Sequence, residues 1–282
     1  MTKFISEVSS NHSKSLDRCF KFIDESADIG CYGVKFQLFL IDQLFSAEVI
    51  AKRKDIQARR EWELPVSFLP EIKKRCEANK IKFGCTPFYL DAVDILDDYV
   101  DFFKIASYEI LWLDLIRKCA MNPEKDLILS SGMATMDEVS TAFNTYKNIN
   151  NKSPSLMHCT SIYPANLDEV NLAAIKTMKD NFGCEVGWSD HSTSKEVITS
   201  AVLKWGADTI EFHLDLEGDG AEFSSGHCWL PKDIEDVISF LSKCELTDGS
   251  AEKVPHKKEM EERVWRADPT DGLRPFKEMR NK

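Results

Sequence analysis

The sequence predicts an α/β protein, specifically a (β/α)8 TIM barrel followed by a charged C-terminal extension. Short apolar runs alternate with longer amphipathic segments, and about eight such strand–helix units follow one another in roughly 250 residues. Each predicted strand also ends in polar residues, which is where a barrel carries its chemistry. A doubly wound parallel sheet is the alternative, but it usually has fewer strands.

The elements follow from hydrophobic periodicity, taken in chain order. Leu16, Cys19 and Phe22 share one side of the first helix. The predicted strands span 4–8, 33–37, 81–85, 100–105, 127–130, 155–159, 185–188 and 208–212. The predicted helices span 13–29, 66–79, 90–96, 112–119, 136–146, 167–181, 194–205 and 230–241. In the long insertion 38–64, the basic run 52–60 predicts a solvated helix face, with a lid or partner contact as the rarer alternative.

The strand–helix pattern ends after Lys243, which divides the chain into a barrel (1–244) and a tail (245–282). The tail is charged and contains Pro255, Pro269 and Pro275. A segment this short rarely forms a core of its own. We therefore expect it to pack on the barrel or on a neighbouring subunit.

Composition excludes several classes of function. The net charge of −11 disfavours nucleic acid as a partner. No apolar run approaches the roughly 20 residues that cross a membrane, and the first strand leaves no room for a signal peptide. Nine cysteines without a Cys-x-x-Cys motif predict reduced, mostly buried thiols and a cytoplasmic protein.

Two histidines end neighbouring predicted strands. His191 closes the stretch GWSDH and His213 closes TIEFH, with one helix between them. Parallel strands joined by a helix place their C-terminal ends side by side. The pair therefore predicts a divalent metal site with open positions, against the alternative of two unrelated polar residues.

Lys35 and Lys104 are embedded in apolar strand sequence, so both should point into one shared mouth. Two buried ammonium groups repel each other unless an anion lies between them. Small hydroxyls at other strand ends would complete a phosphate site, although each alone could be a loop cap. These hydroxyls belong to Thr86, Ser107, Ser130 and Ser189.

Seven motifs together resemble the sialic acid synthases, the N-acetylneuraminate synthase family, and cover roughly the first 230 residues. They are VKFQ (34–37), TPF (86–88), FKIASYE (103–109), LSSGM (129–133), HCTSIYP (158–164), GWSDH (187–191) and EFH (211–213). The resemblance implies a TIM-barrel enzyme that condenses phosphoenolpyruvate with an N-acylated hexose aldehyde and releases phosphate. The product would be a sialic-acid-like (nonulosonic) acid.

The resemblance also implies roles for individual residues. His191 and His213 match metal ligands, usually for manganese. Phosphoenolpyruvate contacts are implied for Lys35, Thr86, Lys104, Ser107, Ser130 and Ser189. Positions facing the sugar and the reacting carbons match Glu7, Glu109 and Tyr163, and further substrate contacts are expected from Gln37, Ser161 and Glu222. Ser161 stands where the family often has Asn, and Glu222 would replace an acidic sugar ligand.

From the resemblance, we expect the protein to depart from the family by lacking the antifreeze-like domain that reaches the partner subunit's sugar site. We expect the tail around 265–275 to complete the pocket, or the substrate to differ. A homodimer is expected from family precedent. His227 is interpreted as a packed loop histidine rather than a sugar contact. Two alternatives remain. One is another metal-dependent 2-keto sugar acid synthase or aldolase, and the other is a non-catalytic sugar- or phosphate-binding barrel.

Overall fold

A computed structural model describes residues 2–280 of the chain. The chain forms two compact units, one ending at Lys243 and the other beginning at Cys244. Among the described residues, no helix is long and apolar enough to span a membrane.

The first unit is a closed barrel of eight parallel strands in sequential order, because β1 pairs with β8 as well as with β2. A ninth short strand pairs with β8 outside the closed ring. The strands are β1 (Lys3–Glu7), β2 (Gly33–Leu38), β3 (Lys82–Pro87), β4 (Phe102–Ile105), β5 (Asp126–Ser130), β6 (Ser155–Cys159), β7 (Val186–Asp190), β8 (Thr209–Leu214) and β9 (Cys228–Trp229). The predicted (β/α)8 barrel is therefore confirmed.

Helices surround the barrel and bury their apolar sides against the strands. They are α1 (Leu16–Asp28), α2 (Ile41–Leu44), α3 (Ala47–Lys52), α4 (Lys54–Ala58), α5 (Leu69–Asn79), α6 (Leu90–Asp97), α7 (Leu113–Ala120), α8 (Met136–Lys147), α9 (Ala174–Phe182), α10 (Lys195–Leu203), α11 (Ala221–Ser224) and α12 (Pro231–Glu245). The helices α2–α4 fill the long insertion after β2. Its basic run is largely exposed apart from Ile56, as expected for a solvated face.

Two predicted boundaries were wrong for local physical reasons. The helix predicted from 167 begins only at Ala174, because Asn171 adopts a left-handed backbone with φ 43° and Glu169 accepts hydrogen bonds from Asn166 in a preceding turn. The strand predicted to end at 212 continues to Leu214, so His213 lies within β8. The short elements α11 and β9 had no periodic signal long enough to predict them.

Alternation along the strands separates the barrel interior into two layers. Ile5, Phe102, Ile128 and Met157 form one buried apolar cluster. Ile5, Phe102 and Ile128 each lie two residues before a polar residue on the same strand, and Met157 lies two residues before the cavity residue Cys159. Residues two apart on a strand point to the same face, which here is the barrel interior. Gly84, on the strand next to Phe102, leaves space for its ring, since a Cβ at this position would lie 2.1 Å from a ring carbon of Phe102. An apolar floor therefore lies below the polar end of the barrel.

Beyond the end of α12 and as far as Arg280, the helices of the second unit are short 3₁₀ turns, at Lys257–Glu259, Glu262–Trp265 and Lys277–Met279. Asp268 organises it by accepting hydrogen bonds from Thr270 and from the backbone N–H of Lys277. Arg280 binds Asp271 and two backbone carbonyls. The expected packing of this tail on the barrel or on another subunit stays a prediction.

Candidate active site

Two buried lysines and two buried glutamates form one ion-pair network at the C-terminal end of the barrel. Lys35 pairs with Glu7, its register partner on the adjacent strand, and its Nζ lies 3.8 Å from Glu211 Oε2. Lys104 pairs with the other oxygen of Glu211. The side chains of all four residues are at most 6% exposed. The sequence predicted an anion between the two ammonium groups, and in the structure the carboxylate of Glu211 takes that place.

Lys35 and Glu211 stay charged within this network despite their burial. Burial would lower the pKa of Lys35, but Glu211 and Glu7 outweigh it and raise that pKa. Burial would raise the pKa of Glu211, but Lys104 and Lys35 outweigh it and hold that pKa below its ordinary value. Two ammonium groups and two carboxylates therefore balance each other before any ligand is present.

The two predicted metal ligands lie side by side beyond this network. The ring centroids of His191 and His213 are 5.4 Å apart. His191 Nδ1 lies 2.9 Å from the carbonyl oxygen of Thr160, and His213 Nδ1 lies 2.9 Å from Glu222 Oε2. Neither Nε2 makes a hydrogen bond within residues 2–280.

This arrangement fits a bound cation. Histidine ligands usually donate their second ring N–H to a carbonyl or carboxylate, which orients the other nitrogen toward the metal. Burial, with His213 nearby, also lowers the pKa of His191 to about 3, so this imidazole is neutral. The pKa of His213 is raised, because Glu222 outweighs the opposing effect of burial.

The structure brings most of the predicted site residues to one cavity of about 90 Å³ at this end of the barrel. Larger clefts of about 330 Å³ lie elsewhere, lined by residues such as Lys82 and Asp126, and lack this convergence of buried charge. The predicted residues that line the 90 Å³ cavity are Glu7, Lys35, Gln37, Thr86, Lys104, Ser107, Ser130, Tyr163, Ser189, His191 and His213. Phe88, Ala106, Tyr108, Cys159 and Glu211 line it as well.

The hydroxyl groups of the cavity are engaged within the protein. Thr86 Oγ1 accepts a hydrogen bond from Lys35 at 3.2 Å, and Ser189 donates one to Glu211 at 3.2 Å. Ser107 donates to Ser130 at 3.0 Å. Each hydroxyl can rotate toward a bound anion because its present partner is another polar group of the same cavity.

Three predicted site residues do not line this cavity. Glu109 follows the lining residue Tyr108, and its buried Oε2 has no hydrogen-bond partner in the part of the chain that the structure describes. Burial raises the pKa of Glu109 to about 7. Ser161 lies near Ser107, since a Cβ on Gly132 would approach both hydroxyls within 2.7 Å. Glu222 is held by His213 and by the hydroxyl and backbone N–H of Ser10.

Two residues that organise the site were not singled out from the sequence. Glu211 is the shared counter-ion of both lysines, and its spacing of two from His213 could have indicated the same inward face. Asp190 is fully buried and accepts hydrogen bonds from the indoles of Trp188 and Trp229 and from Ser192. It fixes the backbone immediately before His191, and of its partners only Trp229 is too distant in sequence to predict.

Comparison with known proteins agrees with the motifs. The pattern of the NeuB family matches residues 22–253. N,N'-diacetyllegionaminic acid synthase of Campylobacter jejuni is 34% identical over 229 residues, which are 77% of this chain and 68% of that protein. Pseudaminic acid synthase of Helicobacter pylori is 27% identical over 225 residues, or 76% of this chain and 66% of that protein.

Solved structures give the same result. The N-acetylneuraminic acid (sialic acid) synthetase of Leptospira borgpetersenii serovar Hardjo-bovis, in complex with citrate, superposes with a TM-score of 0.81 at 29% identity. The match covers 93% of this chain and 90% of the Leptospira chain. With the family pattern spanning most of the barrel and a relative above 30% identity, this chain belongs to the NeuB family.

Proposed function

We propose that this protein is a nonulosonic acid synthase that condenses phosphoenolpyruvate with an N-acylated hexose aldehyde and releases phosphate. Family membership and the synthase names of the relatives support this proposal. The observation that carries it is the placement of Lys35 and Lys104, joined by Glu211, beside the His191–His213 pair. Cationic groups for a phosphorylated acid and ligands for a cation thus share one cavity.

Charge balance explains how the donor would be held. The lysine–glutamate network is neutral, so the negative charges of phosphoenolpyruvate need additional compensation. Lys35 and Lys104 bind its phosphate and carboxylate, while Thr86, Ser107, Ser130 and Ser189 turn their hydroxyls from internal partners to the ligand. Displacement of these internal hydrogen bonds makes binding selective for a ligand with several acceptor oxygens.

A divalent cation, manganese by family resemblance, would offset most of this negative charge. His191 and His213 hold it through the ring nitrogens that make no hydrogen bond within the protein. When bound, the ion supplies Lewis-acid polarisation of the aldehyde oxygen. Thr160 and Glu222 orient the two imidazoles through the opposite ring nitrogens.

The reaction balances with one molecule of water. C3 of phosphoenolpyruvate forms the new bond to the aldehyde carbon, water adds its oxygen to C2, and the C2–O bond to phosphate breaks. The aldehyde oxygen gains a proton and the water loses protons, which requires a group that titrates near neutrality. Glu109, with a pKa of about 7, is the proposed proton carrier, while Glu7 holds Lys35 in place.

The acceptor is proposed to lie on the Tyr163 side of the cavity. Tyr163 stacks on His191 with ring centroids 4.1 Å apart, yet the residue is 44% exposed. A sugar bound here contacts the aromatic face and places its aldehyde next to the histidines. Gln37 and Ser161 are the proposed polar contacts, whereas the hydrogen bonds of Glu222 favour orienting His213 over binding sugar.

Assembly and location follow from two further features. Apolar side chains are exposed on the loops after β4, β5 and β6, where Tyr108 is 69%, Leu111 59% and Met133 59% exposed. We propose that a second copy of the chain covers this rim in a homodimer.

The nine cysteines are all free, which supports a cytoplasmic enzyme.

The decisive experiment measures phosphate release and 2-keto acid formation from phosphoenolpyruvate, Mn²⁺ and a panel of N-acylated hexose aldehydes. Lys104→Ala and His191→Ala should each lower condensation by at least about 100-fold. Lys176→Ala is the matched control, because Lys176 forms only an exposed pair with Asp180. Near wild-type condensation in either site variant contradicts the assignment. Condensation that runs with free pyruvate in place of phosphoenolpyruvate and releases no phosphate would indicate an aldolase. Donor binding without turnover of any sugar would indicate a binding protein.

A further inference from the structure

A second group of possible metal ligands lies on the outer side of His213. Ligand atoms of His213, Glu222, His227 and Cys228 all lie within 4.8 Å of one another. Three of the four residues are buried, and the side chain of Glu222 is 17% exposed. Two imidazoles, a carboxylate and a thiol are the ligand types that zinc takes in closed four-coordinate sites.

The backbone holds these residues together independently of any ion. His213 of β8 and Cys228 of β9 are register partners in a parallel pairing, so their side chains lie next to each other. Gly226, with φ 85°, makes the turn that brings His227 back to the strand. The imidazole rings of His213 and His227 are 5.0 Å apart. Two members of the cluster thus lie on paired strands at the edge of the barrel, while Glu222 lies on α11 and His227 directly precedes β9.

The polar contacts inside the cluster converge on one oxygen atom. Glu222 Oε2 lies 2.9 Å from His213 Nδ1, 3.6 Å from His227 Nε2 and 4.0 Å from Cys228 Sγ. His227 Nε2 is thus the ring nitrogen that faces the carboxylate, while His227 Nδ1 is buried without a hydrogen-bond partner within residues 2–280. A cation bound by Glu222 would therefore lie within reach of His227 Nε2 and His213 Nδ1.

We propose that His213, Glu222, His227 and Cys228 form a second metal site, selective for zinc, on the outer side of the catalytic cavity. Binding requires a thiolate from Cys228 and a neutral imidazole from His227, and His213 must give up its Nδ1 proton to bridge the two metals as an imidazolate. Two protons, one from the thiol and one from His213 Nδ1, therefore leave to solvent as the metal enters. Thiolate sulfur favours zinc over the harder manganese ion proposed for the catalytic site. His213 would then use Nδ1 for this site and Nε2 for the catalytic one, linking zinc occupancy to the orientation of a catalytic ligand.

Cobalt provides a direct probe, because a cobalt–thiolate bond produces a charge-transfer absorption in the near ultraviolet. The full-length protein, freed of metal with a chelator, is titrated with Co²⁺ and then with Zn²⁺. The wild type should develop this absorption at one equivalent per chain, and Zn²⁺ should abolish it by displacing the cobalt. Cys228→Ser should lose the absorption, and His227→Gln should weaken Zn²⁺ binding by at least about 10-fold.

Cys159→Ser is the matched control, since Cys159 is the thiol next to the catalytic histidine, with its sulfur 3.9 Å from His191 Nδ1. This variant and His191→Ala should keep the absorption, and His191→Ala should lose condensation. That combination separates this site from the proposed function, because either can fail alone. The proposal is overturned if the wild type shows no thiolate absorption, if the absorption survives in Cys228→Ser, or if it disappears in Cys159→Ser. If Cys228→Ser does not fold, unchanged Zn²⁺ affinity in His227→Gln overturns it.

Discussion

Two layers of the same barrel, one pleat apart, have opposite compositions. The lower layer is the apolar cluster of Ile5, Phe102, Ile128 and Met157. The upper layer, two residues further along the strands, contains the ion-pair network of Lys35, Lys104 and their glutamates and opens into the cavity. Both layers are buried, so burial alone does not distinguish the part of the barrel that folds the chain from the part that binds a ligand.

The two layers are stabilised by different interactions. The lower layer is stabilised by close packing of apolar side chains, with the Phe102 ring lying over Gly84. The upper layer is stabilised by ion pairs, in which two ammonium groups contact two carboxylates. Removing one charge leaves its partner buried and unpaired, whereas removing a matched pair does not. We therefore expect the protein to fold when both members of an ion pair of the upper layer are replaced, but to be destabilised when only one is. Either change should abolish the activity.

The largest effect on stability is expected from breaking one ion pair. Lys104→Met leaves Glu211 with only the more distant Lys35, and should lower the free energy of unfolding by about 3–5 kcal/mol. Adding Glu211→Leu should recover most of this loss, because Lys35 keeps Glu7. Urea unfolding at neutral pH measures both variants.

Condensation should be absent in the single and the double variant alike, which separates stability from function. Lys176→Met at the exposed Lys176–Asp180 pair is the control and should change stability by less than about 1 kcal/mol. A double variant as unstable as Lys104→Met would mean that the network stabilises the barrel through more than charge balance.

The next effect tests the lower layer. Gly84→Ala places a Cβ 2.1–2.7 Å from three atoms of the Phe102 ring, and should destabilise the protein by about 3 kcal/mol. Gly33→Ala is the matched control, since its closest contacts would be 3.3 Å, and it should cost less. Thermal unfolding of both variants gives the comparison.

Combining Gly84→Ala with Phe102→Leu removes the clash and should restore part of the stability. Equal destabilisation by the two alanine variants would show that the ring moves aside freely, contrary to the packed floor described above.

The sequence predicted much of the upper layer, and the limits are physical. Lys35 and Lys104 stood out because a lysine within an apolar strand needs a buried partner, and alternation then fixed the inner face. Which anion pairs with them was not readable, because Glu211 comes from a strand far away in sequence. The cluster of Glu222, His227 and Cys228 also escaped prediction, because β9 is only two residues long and carries no periodic signal.

A carboxylate without an ammonium partner should behave differently from Glu7 and Glu211. The folded-state pKa of Glu109 is raised from its ordinary 4.5 to about 7 by burial. Its contribution to stability is therefore fully present below pH 4.5 and is lost as the pH rises through 7. The shift corresponds to at most about 3 kcal/mol, and partial exposure to solvent reduces this to about 1–2 kcal/mol.

Glu109→Gln should remove this pH dependence, so the variant should exceed the wild type in stability at pH 8 and match it near pH 4.5. Unfolding measured from pH 4.5 to 8 tests the prediction. A parallel pH dependence in the two proteins would show that Glu109 titrates as an ordinary exposed carboxyl group.

The smallest effect on stability is expected from removing one hydrogen bond in either of two serine–serine pairs. Ser107→Ala removes the 3.0 Å hydrogen bond to Ser130 in the cavity, and Ser6→Ala removes the 2.6 Å bond to Ser26 behind β1. Each should cost about 1 kcal/mol of stability. Only Ser107→Ala should raise the KM for phosphoenolpyruvate, because only this hydroxyl lines the cavity. Ser6 does not line the cavity, so it can affect the donor only by shifting β1. A KM increase of the same size in Ser6→Ala would therefore mean that donor binding depends on the overall stability of the barrel.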